Sequence, residues 1–522
     1  MFAETPKPLR LVLVHNADTT LPVWVARLIE RLDQDPAFSL VGTIDGHART
    51  SAQNGASLML SLERLMQRSL STPTSVSQAK RLMAGLPVLD DTNDGPVADI
   101  ALALSGYSLS AEELERLVTE EWSLLMADAP PQLAERAVMD ALSAGAPSIP
   151  LSLMKRTAAE PNNHCLLSAQ YNIKPSAVLM CAFLQDKAVP FVQRALKCRS
   201  VGRAIDTGVT ACPQDQRTVD MKNTPYPAVL ISAVARRLVD KAREHLDRPT
   251  DNWELCVGEG LPPELDLTSL TPLPRLSWMM ADPFLMEHEG ALYLFFEALD
   301  KKGGNAWIEA CRLNGSALEP LGVALHCDYH LSFPQVFAHA GEIYMMPETQ
   351  QTNRLEIWRA TRFPLEWELH ATALEGLMPA DSCLLQQNGK WWLFSNLSDH
   401  YTFQEHSSAL YLFQVDGPDL KTVTPHRLNP VVIGSDVSRN AGSIFKANGY
   451  LYRPSQNNSF GVYGYGLNLM RIDRLDTQDY HETLIRRISP HDLENAQGVH
   501  HVSFAQGRFV LDIYRNRSAR AL

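Results

Sequence analysis

Five stretches of the sequence decide its fold: DPFLMEHEGALYLFFEA (282–298), FPQVFAHAGEIYMMPET (333–349), DSCLLQQNGKWWLFSN (381–396), AGSIFKANGYLYRPSQ (441–456) and HVSFAQGRFVLDIYR (501–515). Each reads as an apolar strand, a turn ending in glycine, and a second strand rich in aromatic residues. The turn glycines, Gly290, Gly341, Gly389, Gly449 and Gly507, lie 51, 48, 60 and 58 residues apart. Repeats of about 50 residues, each holding several strands, are the mark of a β-propeller. Further strands such as AWIEACRL and RLEIWRAT fill the intervals, so one blade per repeat predicts an all-β five-bladed propeller over 276–522.

Upstream the pattern changes. Short apolar runs, LRLVLVH (Leu9–His15), FSLVGTID and ADIALALSG (Ala98–Gly106), alternate with segments of helical spacing such as LPVWVARLIERLDQ and the Leu/Met-rich stretch around Leu58–Leu70. Ser110 followed by Glu113 is a capping box opening the helix SAEELERLV. Interleaved strands and helices predict an open, Rossmann-like α/β domain over 1–225. Between the two lies 226–275, read as a helix from Tyr226 to Leu246 and a proline-rich linker, GLPPELDLTSLTPLPRLSW. The chain is thus expected to be multidomain.

Composition narrows the function. Lys plus Arg number 47 against 59 Asp plus Glu, a formal charge of −12, which gives no basic footprint for nucleic acid. No apolar run approaches the roughly 18–20 residues of a membrane helix, and LVLV near the amino terminus is too short for a signal-peptide core. A cytoplasmic location is therefore expected. The eight cysteines form no CxxC pair, so neither a zinc knuckle nor a disulfide framework is indicated. HNADTT follows Leu9–His15 in place of GxGxxG, which argues against a dinucleotide. No cofactor and no metal are expected.

A propeller turns the start of each innermost strand and the end of the next toward one face. First-strand starts supply Asp282, Ser332, Asp381, Arg439 and His501; second-strand ends supply Glu297, Glu348, Asn396 and Gln456. Taken singly, such acids cap turns or pair with a neighbouring blade. Gathered at one mouth they repel, unless a cation such as Arg439 or a ligand compensates them. Carboxyls so placed suit general acid/base work on a glycoside, or hydrogen bonding to sugar hydroxyls. Trp307, Trp391, Trp392, Phe295 and Tyr463 either stack on sugar rings or fill the space between blades.

The motifs ADPFLMEHEGALYLFFEA, HLSFPQVFAHAGEIYMMPET, FPLEWELH and SRNAGSIFKANGYLYRPSQNNSFGVYGYGLNLMRI resemble the propeller-like amino-terminal domain of plant glucosamine inositolphosphorylceramide transferases, a domain also found in bacterial proteins. The resemblance runs from about Trp253 to the carboxyl end, and that domain is in turn similar to five-bladed arabinanase- and xylosidase-type glycoside hydrolases. The plant transferase module has no counterpart here. The hydrolase resemblance implies Asp282 as general base and Asp381 as the acid that orients and tunes the pair. The general-acid Glu of blade four is replaced by Arg439–Asn440, which leaves Glu348 or Glu297 for that role. Where the transferase-like motif would read RPAQDCS this chain has RPSQNNS, so Asn457 stands in place of a carboxylate.

In the first half, ADIALALSGYSLSAEELERLVTEEWSLLMADAPP and GAPSIPLSLMKRTAAEPNN resemble methionyl-tRNA and sugar formyltransferases. Their Asn-x-His-Pro-Ser motif would fall on Ser123-Leu124-Leu125-Met126-Ala127, where a Leu cannot shuttle a proton, and Glu160 echoes the acid. The resemblance implies a degenerate scaffold. Two functions stay open for the propeller. One is a carbohydrate-active enzyme, by hydrolysis or glycosyl transfer, with Asp282, Glu348 and Asp381 catalytic and Glu297, Arg439, Gln456, Asn457, His501 and Trp307 binding substrate. The other is a non-catalytic glycan-binding or assembly protein of polysaccharide or glycolipid biosynthesis. A third reading is residual formyl or acyl transfer by the first domain. The partners expected are a sugar or glycan and other proteins of a glycan biosynthesis pathway, without nucleic acid or a membrane span.

Overall fold

The computed structural model describes residues 7–16, 21–48, 60–61, 63–64, 83–89, 96–210, 224–233, 235, 251–301, 303–398, 403 and 405–516. They fall into two units, Met1–Thr207 with Asp220–Ala233, and Gly208–Val219 with Val234–Leu522. Among the described residues no helix is long and apolar enough to cross a membrane.

In the first unit the strands are β1 (Leu9–His15), β2 (Phe38–Asp45), β3 (Ala98–Ala103), β4 (Val118–Met126), β5 (Ser148–Arg156) and β6 (His164–Asn172), with helices α1 (Val23–Asp33), α2 (Ala111–Leu117), α3 (Ala134–Ser143) and α4 (Ala177–Ser200). They form one sheet in the order β2-β1-β3-β4-β5-β6. The capping box forms as expected at the start of α2, Ser110 accepting from the Glu113 N–H and Glu113 from the Ser110 N–H. The sheet is mixed, and the Rossmann-like fold expected from the sequence is not supported. β2, β1, β3 and β4 pair in parallel, while β5 runs antiparallel to both β4 and β6. For β5 and β6 the cause is their short link, a turn closed by the Glu160 N–H on Thr157 Oγ1 at 3.0 Å, which cannot hold the crossover a parallel pair requires. Glu160 itself is exposed beside His164 in that turn. Most of the helix expected over 58–70, and all of Tyr226–Leu246 beyond residue 235, lie outside the described residues; residues 226–233 are helical.

The second unit is a ring of five sheets. The first three are meanders: β8 (Met279–His288), β9 (Ala291–Leu299), β10 (Trp307–Asn314), β11 (Ala317–Leu325); β12 (Ser332–His339), β13 (Glu342–Glu348), β14 (Leu355–Arg362), β15 (Glu366–Ala373); and β16 (Met378–Gln387), β17 (Lys390–Ser398), β18 (Ala409–Val415), β19 (Val423–Pro425). The fourth runs β20 (Phe445–Ala447), β21 (Tyr450–Ser459), β22 (Val462–Leu475), β23 (Tyr480–Ile488), and Val209–Thr210 adds a parallel strand at its outer edge. The fifth joins β24 (Ala496–Ala505) and β25 (Arg508–Asn516) to β7 (Asp251–Leu261) from upstream. The stretch expected as helix and linker, 226–275, therefore supplies the strand that completes the last blade, and the propeller begins before residue 276. Pairing the first strand with the last closes the ring and leaves fewer open edges.

Five apolar clusters, one per blade junction, show the closure directly. Leu255 and Val510 meet Met280 and Leu294 between blades five and one. Phe295 and Ile308 meet Val336 and Met345 between one and two, and Met346 and Ile357 meet Leu384 and Leu393 between two and three. Phe394 and Leu412 meet Met470 and Leu484, and Leu467 and Leu469 meet Val499 and Leu511. Trp392 is buried in the third-to-fourth junction and Trp391 packs on the second-to-third, so both fill space between blades.

A candidate sugar site at the propeller mouth

What aims the polar groups is a bulge repeated in the innermost strands. The ladder skips between Ala281 and Phe284 in β8, Ser332 and Gln335 in β12, Ala380 and Cys383 in β16, and Val499 and Val502 in β24. A bulge re-aims the side chain of its extra residue. In three of these strands the re-aimed residue has a positive φ: Asp282 (49°), Phe333 (45°) and Asp381 (43°). The equivalent position in the fifth blade is His500, one residue before the histidine expected there.

On one side of the mouth Asp381 accepts from Arg439 Nε at 2.6 Å and Nη2 at 3.3 Å, and from Gln456 Nε2 at 3.3 Å. Its backbone N–H donates to Glu348 Oε2 at 3.1 Å, and Arg439 Nη2 lies 3.6 Å from the same oxygen. Burial opposes the Asp381 charge, but Arg439, Glu348 and His500 together outweigh it and hold this carboxyl below the ordinary range. Glu348 moves the opposite way. Burial, then the charge of Asp381, push it well above the usual value, and Arg439 only partly offsets them. Two carboxyls pushed in opposite directions thus share the guanidinium.

On the other side Asp282 donates its N–H to Asp512 Oδ2 at 3.1 Å and accepts the Phe333 N–H at 3.1 Å. His500 stands between two acids, Nδ1 at 2.7 Å from Asp512 and Nε2 at 3.5 Å from Asp282. Burial alone would lower its pKa; Asp512, then Asp282, override this and raise it to about 9. Asp282 is pushed well above the ordinary carboxyl range, by burial first, then by Glu297, Asp381 and Asp512, with His500 opposing. Trp253 lies against the His500 ring at 4.0 Å. Tyr463 spans the two halves, its ring 5.0 Å from the Arg439 guanidinium and 5.4 Å from His500.

Asp282, Glu348, Asp381, Arg439 and Gln456 therefore converge as the strand geometry anticipated. Glu297 takes a place at the rim, 3.2 Å from His330, whose pKa it raises. Tyr463, 47% exposed, and the half-buried His330 are the members that meet solvent, while Asp282 (6%) and Asp381 (2%) lie a layer beneath. Three expected binders do not join the cluster. His501 is buried between Phe284 and Phe333, at 4.7 and 5.1 Å, with neither ring nitrogen hydrogen-bonded, and burial lowers its pKa to about 3. Asn457 lies on the opposite face of β21 from Gln456 and accepts from Ser459 Oγ at 2.7 Å. Trp307 packs on the junction between blades five and one. Ser332 leaves the bulge position to Phe333, and Asn396 is spent holding Ser438, Ala409 and Asn440.

Sequence reasoning missed His500, Asp512 and His330. Asp512 lies mid-strand, and His330 lies in the connection between blades one and two, so neither stands at a strand end. Among the described residues, Asp282, His500 and Asp512 present ligand atoms within 4.8 Å of one another, a spacing that suits a metal ion.

Residues 263–501, somewhat under half of the chain, match the family described as glucosamine inositolphosphorylceramide transferase 1, N-terminal. The chain is 38% identical over 208 residues to glucosamine inositolphosphorylceramide transferase 1 of Oryza sativa subsp. japonica, covering 39% of this chain and 27% of that protein. To the protein of that name from Arabidopsis thaliana it is 36% identical over 224 residues, 42% of this chain and 29% of the relative. The chain thus spans under a third of the length of these relatives. Among solved structures, the GH43_1 enzyme from Xanthomonas citri complexed with xylotriose aligns at 14% identity over 46% of this chain and 88% of that one, TM-score 0.34. A thermostable family-43 glycoside hydrolase aligns at 13% identity over 47% and 91%, TM-score 0.36. At such scores the ring closure rests on the strand ladders, and the sequence match places residues 263–501 beside the amino-terminal part of the plant transferases.

Proposed function

We propose that the propeller acts on a glycan, glycolipid or activated sugar at this mouth, by hydrolysis or glycosyl transfer. The observation that carries the reading is the division of labour among three buried acids. Glu348 and Asp282 are both held toward the neutral form, around an Asp381 kept ionised by Arg439. A neutral carboxyl can protonate a leaving oxygen, and a second can take a proton from water or a hydroxyl once it has lost its own, a loss that the charge of His500 favours at Asp282. Glu348 is assigned the acid, Asp282 the base, and Asp381 with Arg439 the positioning of Glu348. The exposed face of Tyr463, whose hydroxyl is held by Gln456 Nε2, offers a stacking surface for the ring. The printed names of the plant relatives support a sugar or glycolipid as the ligand class, and a cytoplasmic setting goes with this reading.

One observation favours the non-catalytic alternative. Arg439 and Asn440 stand where a hydrolase-like blade four would carry its acid, and Arg439 is turned to Asp381 through Nε and Nη2. The formyltransferase-like reading of the first unit is kept as a scaffold only, since Leu125 stands where that motif would place its histidine. The deciding experiment is a binding screen of nucleotide sugars and glycan fragments, with product analysis of every hit. The enzyme reading expects Asp282→Asn to abolish turnover with binding retained. Full turnover by that variant would overturn the role of Asp282, and binding without product in the wild type would establish the alternative.

A further inference from the structure

We infer that Arg453 is a positioning residue of the mouth: with Glu482 as its counter-ion, it fixes the 437–440 segment and so aims Arg439 and Asn440 at Asp381. The inference rests on the reading of that mouth as a sugar site. Arg439 is carried by a stretch that pairs only sparsely with β21, through the Gln456 N–H on its carbonyl at 2.8 Å and the Ala441 N–H on Pro454 O at 3.1 Å. The carbonyls on its other side turn inward to Arg453. Nη2 donates to Val437 O at 2.8 Å and Nη1 to Ser438 O at 3.2 Å and to Asn440 Oδ1 at 3.1 Å. Nε donates to Glu482 Oε2 at 2.9 Å and Nη2 to Glu482 Oε1, so all five donors are used.

Both groups are fully buried, and Tyr480 donates its hydroxyl to Glu482 at 2.7 Å. Asn440 is the link to the mouth. Its Oδ1 receives Arg453, while its Nδ2 donates to Asp381 O at 2.7 Å. An apolar pair of equal volume is often as stable as a buried ion pair, so stability alone does not account for this one. What apolar side chains cannot do is hold three acceptors, on Val437, Ser438 and Asn440, at once. A lysine ammonium, a point charge with three donors, cannot do so while also pairing both oxygens of Glu482.

The test is carbon-13 NMR titration of the Asp381 and Glu348 carboxyls in the full chain, with Arg439→Met as reference. Two variants are compared with wild type: Arg453→Lys, and the double variant Arg453→Met with Glu482→Leu, which leaves no orphaned charge. The inference expects both to retain the propeller's circular dichroism, with Asp381 titrating at higher pH, toward its behaviour in Arg439→Met. Should the folded variants melt earlier while both carboxyls titrate as in wild type, Arg453 is structural only and the inference fails. The titration is read on the free protein. Failure of every sugar to bind would therefore sink the reading of the mouth and leave this result standing.

Discussion

Replacing Arg439 by Met removes the cation on which the ionised Asp381 depends and keeps most of the aliphatic stem. Both side chains are buried, at 12% and 3% exposure, and are joined by contacts of 2.6 and 3.3 Å. Unit charges about 4 Å apart attract by roughly 4 kcal/mol at an effective dielectric of about 20, and stripping one partner from a buried pair costs about 3–5 kcal/mol. Protonation sets a ceiling, because neutralising an ordinary carboxyl near neutral pH takes roughly 4 kcal/mol. The expected loss is therefore about 3–4 kcal/mol near neutral pH. Its pH dependence follows from the native Asp381 pKa lying below its unfolded value. The pair's contribution is present above about pH 4 and is lost as pH falls through the lower native value. The gap between wild type and variant should be full near neutrality and close on acidification. The assay is denaturant unfolding of the full chain with hydrogen exchange read on propeller peptides, since the two units need not unfold together. A variant as stable as wild type near neutral pH, or a gap unchanged by acid, would refute the compensation of Asp381 by Arg439.

Three further outcomes follow from the same geometry. His500, raised to about 9 from 6.5, contributes stability that is present below about pH 6.5 and lost as pH rises through about 9; Asp512→Asn should remove most of that alkaline loss, roughly 3 kcal/mol, and bring the His500 NMR midpoint down. His501→Leu replaces a buried imidazole without hydrogen bonds; stability should hold or rise by about 1 kcal/mol, the loss between about pH 6.5 and 3 should vanish, and any sugar binding should persist, whereas abolished binding would return His501 to the site. Gly442→Ala sets a Cβ 2.1 Å from the Val502 carbonyl oxygen at φ 138°; a loss above about 3 kcal/mol is expected at the junction of blades four and five, and a near-wild-type melt would contradict the close approach there.

The ring was legible because each hairpin carries its own signature, an apolar run that becomes a continuously buried strand and a turn glycine at positive φ. Its closure was not. The strand from Asp251 to Leu261 finds its partner at Arg508–Asn516, at the opposite end of the propeller sequence, and nothing local announces that pairing. Strand ends brought Asp282, Glu348, Asp381, Arg439 and Gln456 to one mouth because alternation fixes the face. One extra residue in a bulge flips a face, which is how His500 rather than His501 comes to lie beside Asp282 in an adjacent-histidine sequence. Asp512 was hidden in mid-strand, where a carboxyl reads as an ordinary outward residue. In the first unit the strands and the Ser110 cap followed from pattern, while the antiparallel turn of β5 and β6 depended on a link too short for a crossover.

The account stands most directly on the protonation of three carboxyls. Carbon-13 titration of the wild-type side chains, assigned with Asp282→Asn, Glu348→Gln and Asp381→Asn, should find Asp282 and Glu348 titrating above the ordinary carboxyl range while Asp381 stays ionised below it. Three carboxyls titrating together at ordinary values would contradict the division of roles from which the sugar chemistry is argued.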